Sequence, residues 1–539
     1  MNTLKIIKVF FPLSIIPLFL LLNNCGSRSE YGEANDYEKL GAELIPESTP
    51  PEILSVSPTD NSTFNSPATT ISVTFSETIA TSSITTNTND TTCSGSFQLS
   101  SDNFSTCIQM SAAPTFSDND STFTATPAAN LSGGTTHKLR ITTSAQDNSS
   151  NSLASTYTTN GFTTTPSGTG TITGAAKYDN GSAFNGVAVS FSIYGSKLNT
   201  DSTTSSGGSF NRGSIDLGIY TLEYSKTNYK TAKQTATLET NNQTLTVATQ
   251  TMIHNDCNGG NISGIIKDAV TGAAISGAAI SVREGLNTRT GSTVSGKTDT
   301  TNSSGEYTLS SLDAGSYTIE GTKDGLISTY FNVISCSGIS GRNANMTTEL
   351  AEGDMRIVLS WEGSEDFDSH LEIPCTSSCS GSDKDDKSHL WYNINNNPAV
   401  NYTGVETADY HDFGSGVFVT LDQDNTDGSN INPTGSNWDG SDTSCGSGCG
   451  PETITIAQVQ SGDYRYHVHA YDRSGDNTTH LADNSTVVQV FYEVNKSKNF
   501  YVPSAAGDLW TVFDYNKDTG FSTLNTMDIE DTQGDVDDH

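Results

Sequence analysis

Hydrophobic residues along this chain follow two patterns. One apolar run, Val9 to Leu22, lies near the N-terminus. Beyond it, hydrophobic residues recur at every second position over short stretches. Ile71, Val73 and Phe75 alternate with polar residues, as do Val187, Val189, Phe191 and Ile193. Ile357, Leu359 and Trp361 repeat the pattern, and so do Val488, Val490, Tyr492 and Val494. Period two is the mark of a strand with one buried face. After the apolar run, no segment of useful length has the period of a helix. The pattern predicts an all-β chain of tandem β-sandwich domains, and 539 residues are enough for several.

Composition agrees with many short strands and turns. Only 33% of residues are hydrophobic, while Thr, Ser, Asn and Gly are abundant. The net charge of −35 opposes nucleic acid and anionic headgroups but attracts divalent cations, so no nucleic-acid partner is expected.

The apolar run follows Lys5 and Lys8, is short for a membrane span, and stops at Asn23-Asn24-Cys25. That layout fits a signal peptide. A Cys directly after it resembles a lipobox. Asn23 and Asn24 stand where small residues are usual, as in the looser spirochaete lipoproteins. The resemblance implies a signal peptide over 1–24, palmitate or another acyl chain on Cys25, and anchoring of the lipid in the membrane. It places the protein in the bacterial envelope, at the outer membrane or cell surface rather than the periplasm.

Residues 25–50 are polar and end in Ser48-Thr49-Pro50-Pro51, as a flexible tether does. Residues 51–165 carry the Ile71–Phe75 alternation, then Leu131-Ser132-Gly133-Gly134-Thr135-Thr136-His137 and Leu139-Arg140-Ile141. This segment resembles the bacterial Ig-like domain. Residues 169–253 and 259–350 read as two copies of one unit. Gly208 corresponds to Gly305, Gly218 to Gly315, Tyr220 to Tyr317 and Lys226 to Lys323, all at one offset. The second copy, with Asp268-Ala269-Val270-Thr271-Gly272 and Leu312-Asp313-Ala314-Gly315-Ser316-Tyr317, resembles the carboxypeptidase regulatory-like domain, a non-catalytic prealbumin-like sandwich. The first copy matches it less fully.

Residues 352–519 carry Asp366-Phe367-Asp368-Ser369-His370-Leu371, Leu421-Asp422-Gln423-Asp424, Gly450-Pro451-Glu452-Thr453, Tyr464-Arg465-Tyr466-His467-Val468-His469 and Trp510-Thr511-Val512-Phe513. Their order resembles an uncharacterised β-sandwich domain of secreted bacterial proteins, with an insertion over 428–448. Residues 520–539 are acidic and without pattern, which predicts a solvated tail.

Setting Cys25 aside leaves eight cysteines, an even set that favours disulfides in an exported chain. Cys93 and Cys107 fit a local bridge closing a hairpin. Cys257 and Cys336 bracket one domain and would tie its first strand to its last. Cys375/Cys379 and Cys445/Cys449 have zinc-ligand spacing, but an oxidising compartment favours disulfides here too.

The candidate chemistry lies in the C-terminal domain. If Asp366 to Ile373 is a strand, then Asp366, Asp368, His370 and Glu372 share one face, and Phe367, Leu371 and Ile373 the other. Asp422 and Asp424 repeat the spacing. The aspartates suit Ca²⁺, whereas His370, His389 and His469 suit Zn²⁺. The plainer expectation is that these are solvated outer faces, with His467 and His469 on an exposed strand. Gly291 to Thr298 satisfies the P-loop string, but the turn-forming residues after it exclude the helix that phosphate binding needs. No H-E-x-x-H or G-x-S-x-G occurs. The leading expectation is a non-catalytic lipoprotein array that binds an unknown protein or polysaccharide, with adhesion as its use. The alternative is a metal-dependent hydrolase of surface polysaccharide or peptide acting through the Asp/His cluster.

Overall fold

The computed structural model describes residues 48–178, 181–199, 201–361, 365–374, 387–390, 419–423, 449–471, 475, 477–483, 486–492, 496–503, 505–530 and 536. Cys25, Cys375, Cys379, Asp424 and Cys445 lie outside them, and of Cys449 only its place in a strand is described. The chain divides at Thr49. Beyond that point the described residues are nearly all β, as the alternation predicts: eight sheets that pair into sandwiches, with a short helix at His480–Asp483. Among the described residues, no helix is long and apolar enough to cross a membrane.

In the first pair, Ile53–Ser57, Ile71–Phe75, Thr122–Ala125 and Thr115–Ser117 form one sheet. The other is built on Thr136–Ile141, which pairs with Phe97–Ser100, Tyr157–Thr158 and Phe162–Thr163. Ile71, Val73 and Phe75 meet Phe97, Leu99, Phe123, Leu139 and Ile141 in the core. Cys93 and Cys107 are bonded. The bridge does not close a two-stranded ladder, however: Phe97–Ser100 pairs with Thr136–Ile141, and from the Cys107 side it receives the Ile108 N–H on the Leu99 carbonyl.

The next two sandwiches share one topology, which bears out the internal repeat. In the first, Thr169–Lys177 lies between antiparallel Ser209–Asp216 and parallel Thr244–Thr246. In the second, Gly260–Asp268 lies between antiparallel Glu306–Leu312 and parallel Ala344–Thr348. The repeated residues do the same work in both. Tyr220 donates to the Asp216 carbonyl and Tyr317 to that of Asp313. Lys226 ties down the Gly186 carbonyl and Lys323 that of Ser276, both at 2.8 Å. Gly208 and Gly305 have φ of +75° and +73°, and a Cβ on either would stand 2.6 Å from a carbonyl oxygen, of Ala176 or Ile266. Only glycine fits there.

Cys257 and Cys336 are bonded across 79 residues. Loop-closure entropy gives such a bridge ~4.5 kcal/mol of stabilisation. Cys336 follows Thr329–Ser335, so the bridge reaches the penultimate long strand of the module and not the last, Ala344–Thr348. The P-loop string forms turns leading into the strand Thr298–Thr300, and Lys297 donates to the carbonyls of Ser310 and Ser311.

The C-terminal sandwich is wholly antiparallel. One sheet runs Val419–Gln423, Cys449–Ile456, Met355–Trp361, Val487–Tyr492, Lys496–Tyr501. The facing sheet runs Lys387–Leu390, Phe367–Pro374, Tyr464–Ala470, Leu509–Asn516, Gly520–Asp528. Its last strand corrects the expectation of a solvated tail from residue 520. Phe521 and Met527 pack on the core, and Trp510 donates to Asn525 at 2.8 Å.

This sandwich does not stand free of its neighbours. The outer face of its first sheet docks on the preceding module, where Val358 and Phe491 meet Ala269, Ile327 and Leu350. Arg289, from a loop of that module, donates to the Ser497 carbonyl at 2.8 Å and to Asn499 at 3.0 Å. Its guanidinium lies over the Tyr330 ring. Lys498 reaches Glu239 of the earlier copy at 2.6 Å. Truncating a fully buried Phe costs about 3–5 kcal/mol. Phe491→Ala is therefore expected to destabilise the chain by at least ~3 kcal/mol in urea denaturation. The exposed Ile219→Ala should change it by less than about 0.5 kcal/mol. Equal effects would show that the docking contributes nothing.

Candidate functional site in the C-terminal sandwich

Phe367–Pro374 is a central strand, and its two faces divide as the alternation predicts. Phe367, Leu371 and Ile373 enter the hydrophobic core. Asp368, His370 and Glu372 point to the other side. Tyr464–Ala470 pairs with it so that Asp368 stands opposite His469, His370 opposite His467, and Glu372 opposite Arg465. Directly opposed residues share a face. On the other flank His389 is opposite Glu372.

The expectation of a solvated face fails. Asp368 and Glu372 are each 2% exposed, and His370, His467 and His469 are wholly buried. Five ionisable side chains are thus packed on one sheet face away from water. Such groups persist only when hydrogen-bonded, paired or bound to metal. Glu372 meets His467 Nε2 at 2.9 Å, and His467 Nδ1 meets Thr511 at 3.0 Å. His370 Nδ1 and His389 Nε2 are 2.9 Å apart, their rings stacked. His469 Nε2 is 3.1 Å from the Glu530 carbonyl, so a residue from the expected tail completes the site. Burial holds His370 well below the usual imidazole value and depresses His469. It takes His389 down to about 3, aided by the neighbouring His467. All three are neutral imidazoles, the form that binds metals.

One donor atom each from Asp368, His370 and His469 lies within 4.8 Å of the others. Asp366 is buried just ahead of the strand and is not part of this trio. Asp422 is in the opposite sheet, bonded to Thr455 and near Arg356, and burial raises its pKa. The structure therefore separates Asp422 from the aspartates it was grouped with.

Glu452, in the Gly-Pro-Glu-Thr segment, is a site residue that sequence reasoning located but gave no role. It is 1% exposed, and its carboxylate accepts the Ser369 backbone N–H from the facing sheet at 2.6 Å. Ser369 bonds Tyr466 at 2.7 Å, so a polar node crosses the middle of the sandwich. A buried acidic residue beside a Pro in a strand is visible in sequence, but its partner, 83 residues away, is not.

Residues 47–164 match the bacterial Ig-like domain family, and residues 261–349 match the carboxypeptidase regulatory-like domain family. No curated protein matches the chain. Among solved structures, a streptococcal ancillary pilin is 13% identical, covering 44% of this chain and 80% of its own, with a TM-score of 0.14. Shaft pilin SpaA from Lactobacillus rhamnosus GG is 14% identical over 34% of this chain and 98% of its own, also at 0.14. The Bacillus anthracis TIE protein is 12% identical over 85% and 74%, at 0.15.

Glu452→Ala strands the Ser369 N–H and should cost ~2–3 kcal/mol in denaturation, whereas Glu452→Gln keeps an acceptor and should recover most of it. Equal losses would show that the carboxylate's charge matters rather than its acceptor. Stability should also depend on pH. The three neutral histidines gain protons near 6.5 when unfolded but resist them when folded. Their contribution is complete above pH 6.5 and is lost as pH falls towards about 3, the folded value of His389. Each adds up to ~1.4 kcal/mol per pH unit within its window. Denaturation midpoints should fall between pH 7 and 5, less steeply in His389→Gln. A flat profile would contradict the burial of neutral imidazoles.

Proposed function

We propose that this chain is an exported, lipid-anchored surface protein whose β-sandwich modules serve a structural and adhesive role. The supporting observation is the interlocked run of modules, with Ig-like and regulatory-like matches of non-catalytic kinds, ending in a sandwich clamped by Arg289. Such modules display a terminal domain rather than frame an active cleft. In this reading the apolar run before Cys25 directs export as a signal peptide, and palmitate or a related acyl chain on that cysteine is the anchor. The membrane is then the first partner, and a protein or polysaccharide of the cell's surroundings the second.

The metal-dependent hydrolase is the weaker reading. A catalytic metal keeps a position open to substrate, and the side chains of Asp368, His370 and His469 are at most 2% exposed.

Radioactive palmitate fed to producing cells should label the chain, and Cys25→Ser should abolish the label and release the protein from the membrane fraction. Protease added to intact cells should remove the modules. An unlabelled, protease-protected chain would overturn the anchor and the surface location together.

A further inference from the structure

The sheet face carrying Asp368, His370 and His469 has a feature that hydrogen bonding alone leaves unexplained. The Glu530 carbonyl can only accept, so His469 Nε2 must carry the ring proton. In the neutral ring, Nδ1 then holds a bare lone pair. That atom is buried and has no hydrogen-bond partner. An imidazole fixed by a carbonyl on one nitrogen and bare on the other is arranged as metal-binding histidines are. His370 Nδ1 and His389 Nε2 are 2.9 Å apart, and either ring can be the donor. His467 is different, because both its ring nitrogens are engaged, by Glu372 and Thr511.

We propose that Asp368, His370 and His469 bind one Zn²⁺, which pins the Phe367–Pro374 strand to the Tyr464–Ala470 strand. Two imidazoles and one carboxylate are a nitrogen-rich set suited to zinc, whereas Ca²⁺ takes six to eight oxygens. Asp368 and His469 are cross-strand partners, and His370 is two residues along on the same face. The register therefore holds the donors together. A tetrahedral ion with bonds of ~2.0–2.1 Å needs donors roughly 3.3 Å apart. From a span of 4.8 Å this is reached by a shift of about an ångström, within side-chain adjustment. The ion would take the Asp368 carboxylate as a ligand and satisfy the bare Nδ1 of His469. The inference stands apart from the anchor and from adhesion, and either can fail without the other.

The test uses the full chain in detergent, stripped with EDTA. Zn²⁺ should bind at one equivalent and raise the melting temperature by roughly 5 °C or more, with Ca²⁺ and Mg²⁺ giving neither effect. X-ray absorption on the zinc-loaded protein should show imidazole and oxygen donors and no sulfur. Asp368→Asn and His469→Gln should lose the bound zinc and the thermal shift, while His254→Gln, at an exposed histidine elsewhere, keeps both. If His469→Gln does not fold, the donor set seen by absorption on the unaltered chain decides. No stoichiometric zinc, sulfur in the donor set, or full zinc retention in Asp368→Asn would each overturn the proposal.

Discussion

A strand has two faces, and a two-sheet sandwich by itself buries only one of them. Much of this structure follows from what covers the other. In the first sheet of the C-terminal sandwich the outward Val358 and Phe491 are sealed by Ala269, Ile327 and Leu350 of the preceding module. In the second sheet the outward face carries Asp368, His370, Glu372, His467 and His469, and it too is removed from water. One outer face is buried by apolar contact and the other by a polar cluster. The apolar contact is favourable wherever the shapes fit. The polar cluster must be satisfied group by group, or the desolvation of its charges outweighs the packing. That requirement gives His467 its two partners and His469 its carbonyl.

The inner faces were legible in the sequence. Ile71, Val73 and Phe75, Val187, Val189 and Phe191, and Ile357, Leu359 and Trp361 all lie in cores, because alternation is a local property of one strand. The duplication was legible through Gly208 and Gly305, where the backbone admits no other residue. The Cys93–Cys107 and Cys257–Cys336 pairings were legible because each pair lies inside one module. The outer faces were not. Asp368 and His469 look like solvent-facing residues in any single-strand reading, since what covers an outer face comes from far along the chain. Gly520–Asp528 was misread for a related reason. As an edge strand it needs one partner only, so acidic and polar residues are tolerated on its exposed side, and its composition resembles that of a tail.

The matches to known families cover the first and third modules. The second has the same topology and the same Tyr, Lys and Gly devices as the third. The likeness of the two lies in turn chemistry and strand order, where backbone geometry limits what can vary, more than in the residues between.

The Arg289 clamp has a consequence for how such a chain can change over generations. Modules in a tandem array are commonly exchanged, duplicated or lost by recombination at their linkers. Here the third module lends a loop arginine and the underside of its sheet to the fourth, while Glu239 of the second holds Lys498. Cutting at the linker near residue 351 would leave Phe491 and Val358 wet on one fragment and an unmatched guanidinium on the other. The unit of inheritance is therefore larger than the unit of fold: the second, third and fourth modules are tied by contacts that a cut at any linker between them would break.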